Sequence, residues 1–272
     1  MDRPEQCIDL FAVRSVLFLP ASNPRAIAKA REAGADLVVL DLEDAVKPAD
    51  KANAREAAVE AVANSWSIPV AIRVNGVGSE WHSLDLDAAA RSNADLVVVP
   101  RAISAHLVHG VAEAVGKPVL AMVETAAGVL AAAEIAGEST GLIAGTNDLR
   151  ADLCLPLDAT REPISTSLQM IVLAARAAGI AVFDGVFNRL DDADGFLAEA
   201  QHGHRLGFDG KSLIHPNQIA PCHRAFAPSE AEIARAKRLV EAFHGGAERF
   251  DNEMIERMHV EAAQRVLERA GG

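Results

Sequence analysis

The chain has 272 residues, half of them hydrophobic, enough for a sizeable core in one large α/β domain or two small ones. A net charge of −12, with no tyrosine and few other aromatics, argues against nucleic-acid and anionic-membrane partners. No apolar run reaches the roughly 18 residues that span a bilayer. The start "MDRPEQCIDLFAVRS" lacks a signal-peptide layout, and Cys7, Cys154 and Cys222 have no metal-type spacing and read as free thiols of a cytoplasmic protein.

In chain order, the first β-branched run is "SVLFLP" (15–20), followed by the helix candidate "NPRAIAKAREAG". "DLVVLDLED" (36–44) leads into "DKANAREAAVEAVAN". Then come "PVAIRVN" (69–75), "DLVVVPR" (95–101), "PVLAMVET" (118–125) and "TGLIAGTNDL" (140–149). "SLQMIVLAARAAG" precedes "GIAVFDGV" (179–186), and "GFDGKSLIH" (207–215) is the last run; Gly34 and Gly179 stand where helices close. Eight such strand–helix units fit a (β/α)8 TIM barrel over residues 1–228. "PSEAEIARAKRLVEAFHGG" and "NEMIERMHVEAAQRVLERAGG" read as two further helices, a C-terminal helical extension over 229–272. No G-x-G-x-x-G follows an early strand and no P-loop occurs.

Barrel enzymes place chemistry at the C-terminal ends of their strands, and the polar residues gather there: Asp41, Glu43 and Asp44, then Arg73 and Asn75, Arg101, Glu124, Asn147 and Asp148, and His215. Glu124 and Asp148 lie one strand–helix unit apart, on neighbouring tips where they can share a hard cation such as Mg²⁺. The absence of an H-x-x-x-H pair or a cysteine cluster disfavours zinc. Each carboxylate has a plainer reading as a helix cap or solvated charge, and Asp148 as an Asx turn in "GTND". Arg73, between apolar neighbours, requires an anionic partner: a second-strand carboxylate, a substrate oxygen, or both. Strand alternation puts Asp41 and Glu43 on one face and Asp44 on the other unless the strand has already turned, and Asp41 has the weakest claim to the site. Lys211 lies toward the N-terminal end of its strand, which disfavours a Schiff base. His215 is either a base or a loop contact. Arg25 and Lys29, at i and i+4 on the first helix, form either a phosphate contact or a solvated face.

Together "RSVLFLPASNPR", "VVLDLEDAVKPADKANAR", "IRVNG", "MVETAAGVLAAAEI", "GTNDLRADL" and "GFDGKSLIHPNQI" resemble, in order along nearly the whole chain, the citrate lyase β-subunit-like (CitE-like) group of the HpcH/HpaI aldolase superfamily. The resemblance implies a TIM barrel with a C-terminal helical extension, assembled as a homotrimer. It also implies a Mg²⁺-dependent lyase, with Mn²⁺ as a substitute ion, that cleaves 3-hydroxyacyl thioesters carried by coenzyme A or a carrier protein. By matching motifs, Glu124 and Asp148 would be the metal ligands and Arg73 would bind the substrate. Glu43 and Asp44 would hold metal-bound water and orient Arg73, while Arg25 and Lys29 would meet coenzyme A phosphates. Where many members have "G-x-M-[IV]-D", with an aspartate serving a neighbouring subunit, this chain has "NEMIE", with Glu256 at that position. Where relatives have "L-P-K" on the fourth strand, it has Arg101. An aldolase of free 2-oxoacids and the β subunit of a multi-subunit citrate lyase are the alternative readings.

Overall fold

The structure, a computed structural model, describes residues 8–271; Cys7 and the rest of the N-terminal segment fall outside them. The chain divides into two compact units, one ending at Ala225 and the other Phe226–Gly272.

The first unit is a closed parallel barrel with strands in sequence order. These are β1 (Ser15–Pro20), β2 (Leu37–Asp41), β3 (Val70–Arg73), β4 (Leu96–Val99), β5 (Val119–Val123), β6 (Gly141–Ala144), β7 (Ala181–Asp184) and β8 (Gly210–Leu213). The helices between them are α1 (Pro24–Ala30), α2 (Lys51–Ala63), α3 (His82–Arg91), α4 (Ala105–Val115), α5 (Ala126–Leu130), α6 (Ala132–Gly137), α7 (Thr146–Asp152), α8 (Ser165–Ala178) and α9 (Ala193–Leu206), with α10 (Ile219–Phe226) after β8. β2 to β6 are buried along their whole length, as expected for strands covered on both faces. Gly179 adopts φ 69° directly after α8, as its helix-closing place requires. α1 instead stops at Ala30, and Gly34, at φ 78°, follows a further turn.

Period-2 alternation carries the core into the site. Leu37 and Val39 of β2, Ala71 of β3, and Leu120 and Met122 of β5 belong to one buried cluster. Two residues on from the last of each come Asp41, Arg73 and Glu124. The register pairs Asp41 directly with Arg73. The same inward face is thus apolar below and ionic at the strand ends.

In the second unit, α11 (Glu230–Ala242) starts with a complete Ser229–Glu232 capping box. The expected helix from Asn252 does not form there. β9 (Glu248–Phe250) and β10 (Glu253–Ile255) make an antiparallel hairpin, and α12 begins only at Arg257 and runs to Gly271. Asp251 at φ 48° and Asn252 at φ 66° form its two-residue turn, a conformation these residue types tolerate best after glycine. Ala236, Leu239, Ile255 and Ala263 form the unit's own core. Among the described residues no helix is long and apolar enough to cross a membrane.

Candidate active site

Arg73 is the centre of the ion network. Its Nε donates to Asp41 Oδ1 at 2.7 Å and its Nη2 to Asp41 Oδ2 at 2.6 Å, a bidentate pair buried at the β2–β3 ends. Its Nη1 lies 2.8 Å from Glu43 Oε2, within ion-pair distance, yet that oxygen is buried with no hydrogen bond of good geometry. The guanidinium also stands over the Phe18 ring, 5.4 Å from its centroid. Burial opposes the arginine's charge, but Asp41, Glu43 and Glu124 outweigh it and raise its pKa.

The acidic run turns as soon as β2 ends. Asp41 Oδ1 accepts the Glu43 N–H at 2.8 Å and Oδ2 the Ala45 N–H at 3.1 Å, so the chain wraps around this carboxylate. Asp41, the weakest candidate by sequence, is therefore the residue that both shapes the turn and holds Arg73. Glu43 assists it, and Asp44 reaches the cavity wall rather than Arg73. Burial pushes the Glu43 carboxyl up to about 8, with Asp44, Glu124 and Asp41 adding to the rise and Arg73 opposing it.

Glu124 follows β5 and Asp148 lies in the first turn of α7, beyond β6. Glu124 Oε1 accepts the Arg101 N–H at 2.6 Å, an amide that Arg101 presents from the left-handed region at φ 50°. Gly145 makes room for this carboxylate, since a Cβ there would stand 2.3 Å from Glu124 Oε2. Burial pushes Glu124 up to about 7; the Arg101 amide and Arg73 lower it, while Asp148 and Asp44 raise it. Asp148 is not the N-cap of α7, a place that Gly145 holds. Asn147 and Asn188 exchange amide hydrogen bonds of 3.3 and 2.7 Å beside it.

Arg73, Glu124, Asp148, Asp44 and Asn188 line one cavity of about 410 Å³, a size suited to a small organic ligand, with Phe18, Met122 and Ile214 supplying apolar wall. Among the described residues no group of three or more His, Cys, Asp or Glu side chains is arranged around a common ion position. Two carboxylates at an open pocket match Mg²⁺, which keeps several waters and takes the rest of its shell from substrate. The glycine-cleared seat of Glu124 and the unbonded Glu43 Oε2 are consistent with that ion and its water.

The remaining sequence candidates of the first unit do not line this cavity. Arg25 and Lys29 are both exposed on α1. Lys211 is fully buried against Asp184 and Glu199, off the cavity wall, which rules out a Schiff-base role there. His215 accepts the Asn217 N–H as a local cap. Glu256 is exposed, just before α12 of the second unit. Lys51 escaped the sequence reading altogether: it is 5 % exposed and bonded to the Leu42 and Glu43 carbonyls and to Asn75 Oδ1. One signal was available, because a lysine at the first residue of a helix opposes the helix dipole and needs some other anchor.

A closed (β/α)8 barrel with a buried arginine and two carboxylates around one cavity beyond its strand ends has the layout of a barrel enzyme's active site. Residues 14–216 match the HpcH/HpaI aldolase/citrate lyase family, and the chain belongs to it. It is 41% identical over 269 residues to a (3S)-malyl-CoA thioesterase of Cereibacter sphaeroides, covering 94% of each chain. It is 35% identical to the citrate lyase subunit beta of Escherichia coli, covering 94% of this chain and 93% of that one. Among solved structures it resembles the CitE protein of Mycobacterium tuberculosis in complex with magnesium, acetoacetate and coenzyme A. The TM-score is 0.87 at 34% identity, over 96% of this chain and 100% of that one.

Proposed function

We propose that the chain is a Mg²⁺-dependent carbon–carbon lyase that cleaves a 3-hydroxyacyl-CoA thioester, of the malyl, citramalyl or citryl kind, to a 2-oxoacid and an acyl thioester. The single cavity that Arg73 shares with Glu124 and Asp148 carries this reading. The relatives named for malyl-CoA and citrate lyase, and the structure holding magnesium and coenzyme A, support it.

Glu124 and Asp148 are the residues to hold Mg²⁺, with Mn²⁺ as a substitute; the bound ion supplies the Lewis acidity that makes a substrate hydroxyl easier to deprotonate. Arg73, held in place by Asp41, stabilises the negative charge that develops on the thioester oxygen as the carbon–carbon bond breaks. A carboxylate takes the hydroxyl proton, and the enolate carbon left by cleavage takes up a proton to give the acyl thioester; that carboxylate is Glu256 of a neighbouring copy, or one of the acidic turn, Glu43 or Asp44. Arg25 and Lys29 meet the coenzyme A phosphates. The catalytic barrel extends over residues 1–228, and the C-terminal extension, 229–272, joins copies into a homotrimer. The protein works in the cytoplasm, a reading supported by the free thiols Cys154 and Cys222.

A second reading is hydrolysis of the thioester itself, favoured by the 41% identity to a malyl-CoA thioesterase. Product analysis separates the two. Purified chain with Mg²⁺ and malyl-, citramalyl- or citryl-CoA yields a 2-oxoacid plus an acyl-CoA if it is a lyase. It yields a hydroxyacid plus free coenzyme A if it is a thioesterase. A requirement for carrier and transferase subunits would favour a citrate lyase β subunit, and cleavage of free 2-oxoacid aldols alone would favour the aldolase reading.

A further inference from the structure

The Lys51 ammonium makes three hydrogen bonds, each 2.7 Å long, to Leu42 O, Glu43 O and Asn75 Oδ1. An ammonium has three donors, so its capacity is filled by these acceptors. The Trp81 ring covers it, with the nitrogen 5.1 Å from the ring centroid. Two of the acceptors are consecutive backbone carbonyls of the turn that carries Glu43 and Asp44. The third belongs to Asn75, whose Nδ2 also donates to Leu42 O at 2.9 Å. Asn75 is itself fixed by Asp85, which receives its backbone N–H at 2.9 Å and its side-chain N–H at 2.6 Å. Asp85 in turn receives Arg55 Nε at 2.6 Å.

The turn is thus held from two sides. Asp41 binds its amides from the cavity side, and Lys51 binds its carbonyls from the α2 side. The Leu42–Glu43 peptide is fixed at both its C=O and its N–H, and the planes on either side of Asp44 are each held at one end, the Glu43 carbonyl and the Ala45 N–H, which narrows the directions open to the Glu43 and Asp44 side chains. A buried ammonium is costly to desolvate, and no neutral side chain of this length presents three donors to a convergent set of carbonyls. A guanidinium is planar and wider, so arginine does not fit that set.

We propose that Lys51 is a positioning residue: its three bonds lock the 41–45 turn so that Glu43 stays against Arg73 and Asp44 stays on the cavity wall. Through Glu43 it supports the place that the bidentate Asp41 pair gives the Arg73 guanidinium, without touching substrate. The consequence for turnover rests on the lyase reading above; the locking of the turn does not.

The test compares Lys51→Met and Lys51→Gln with Arg55→Met, which breaks the outer leg of the same network and leaves both carbonyl bonds in place. Hydrogen exchange of the 41–46 amides is measured first. Both Lys51 variants should speed it at least tenfold relative to the parent, with Arg55→Met within about threefold. Turnover with Mg²⁺ and the preferred CoA thioester is measured second. In Lys51→Met kcat should fall about 10²-fold with KM within about threefold, as expected for lost preorganisation rather than lost binding. Lys51→Gln, which retains amide donors and so the means to stay folded, should lose less. Unchanged exchange in a folded Lys51 variant overturns the proposal, as does an equal loss in Arg55→Met or a kcat within twofold of the parent. If the parent cleaves no thioester, the lyase reading fails, and the exchange measurement still decides the role of Lys51.

Discussion

Arg73 meets Asp41 through two parallel N–H bonds and keeps its remaining nitrogen beside Glu43, a planar arrangement that lysine cannot copy with a point charge. Arg73→Lys should therefore lower kcat by about 10²–10³-fold, measured in steady state, with a smaller effect on KM. Glu43 makes a separate, pH-linked prediction. Folding raises its carboxyl from 4.5 to about 8, so the folded protein retains a proton that the unfolded chain has released between those values. Metal-free protein should lose stability as pH rises through that window, at up to about 1.4 kcal/mol per pH unit for one group. Glu43→Gln stays neutral throughout, and urea titrations across the window should show a flatter dependence for it. Sequence reasoning found Arg73, Glu43 and their attraction but ranked Asp41 last. Strand alternation puts Asp41 on the face of Glu43 but does not show that β2 ends at Asp41, where side-chain direction begins to follow the turn's hydrogen bonds.

Each strand–loop–helix unit delivers its site residue by a local device, and the most sensitive is the β6–α7 junction. Glu124 packs against Gly145, where a Cβ would lie 2.3 Å from its Oε2 and 2.4 Å from its own Cβ. Neither is a flexible tip with room to retreat, because the Arg101 amide holds Oε1 at 2.6 Å. Gly145→Ala should weaken Mg²⁺ binding at least tenfold, read by calorimetry, with thermal unfolding reporting that the barrel persists. The strands themselves were legible, since β-branched runs buried on both faces leave little ambiguity. The β9–β10 hairpin was not, because "NEMIERMHVEAAQRV" carries a helical pattern from Arg257 onward that masks the short strand Glu253–Ile255 ahead of it. The Asp-Asn pair at 251–252 was the available turn signal. Lys51 was hidden for a different reason: its partners are backbone carbonyls, which sequence spacing does not display.

At the scale of the whole molecule, the parallel barrel gathers residues from β1 to the segment after β8 at one end, so a site dispersed over about two hundred positions, Phe18 to Ile214, becomes one cavity. That gathering was readable from the barrel's rule that chemistry sits at strand C-termini; the cavity's apolar wall was not, because it depends on which side chains the closure brings together. The proposed homotrimer should appear in sedimentation equilibrium at about three times the 28.7 kDa of one chain, and a single-chain mass would contradict it. The central claim is that Glu124 and Asp148 hold the Mg²⁺ on which cleavage depends. Its most direct test is a Mg²⁺ titration of thioester cleavage by Glu124→Ala beside the parent. The variant should show no Mg²⁺ saturation and only the activity of chelator-treated parent. Intact cleavage with unchanged Mg²⁺ affinity would contradict the account.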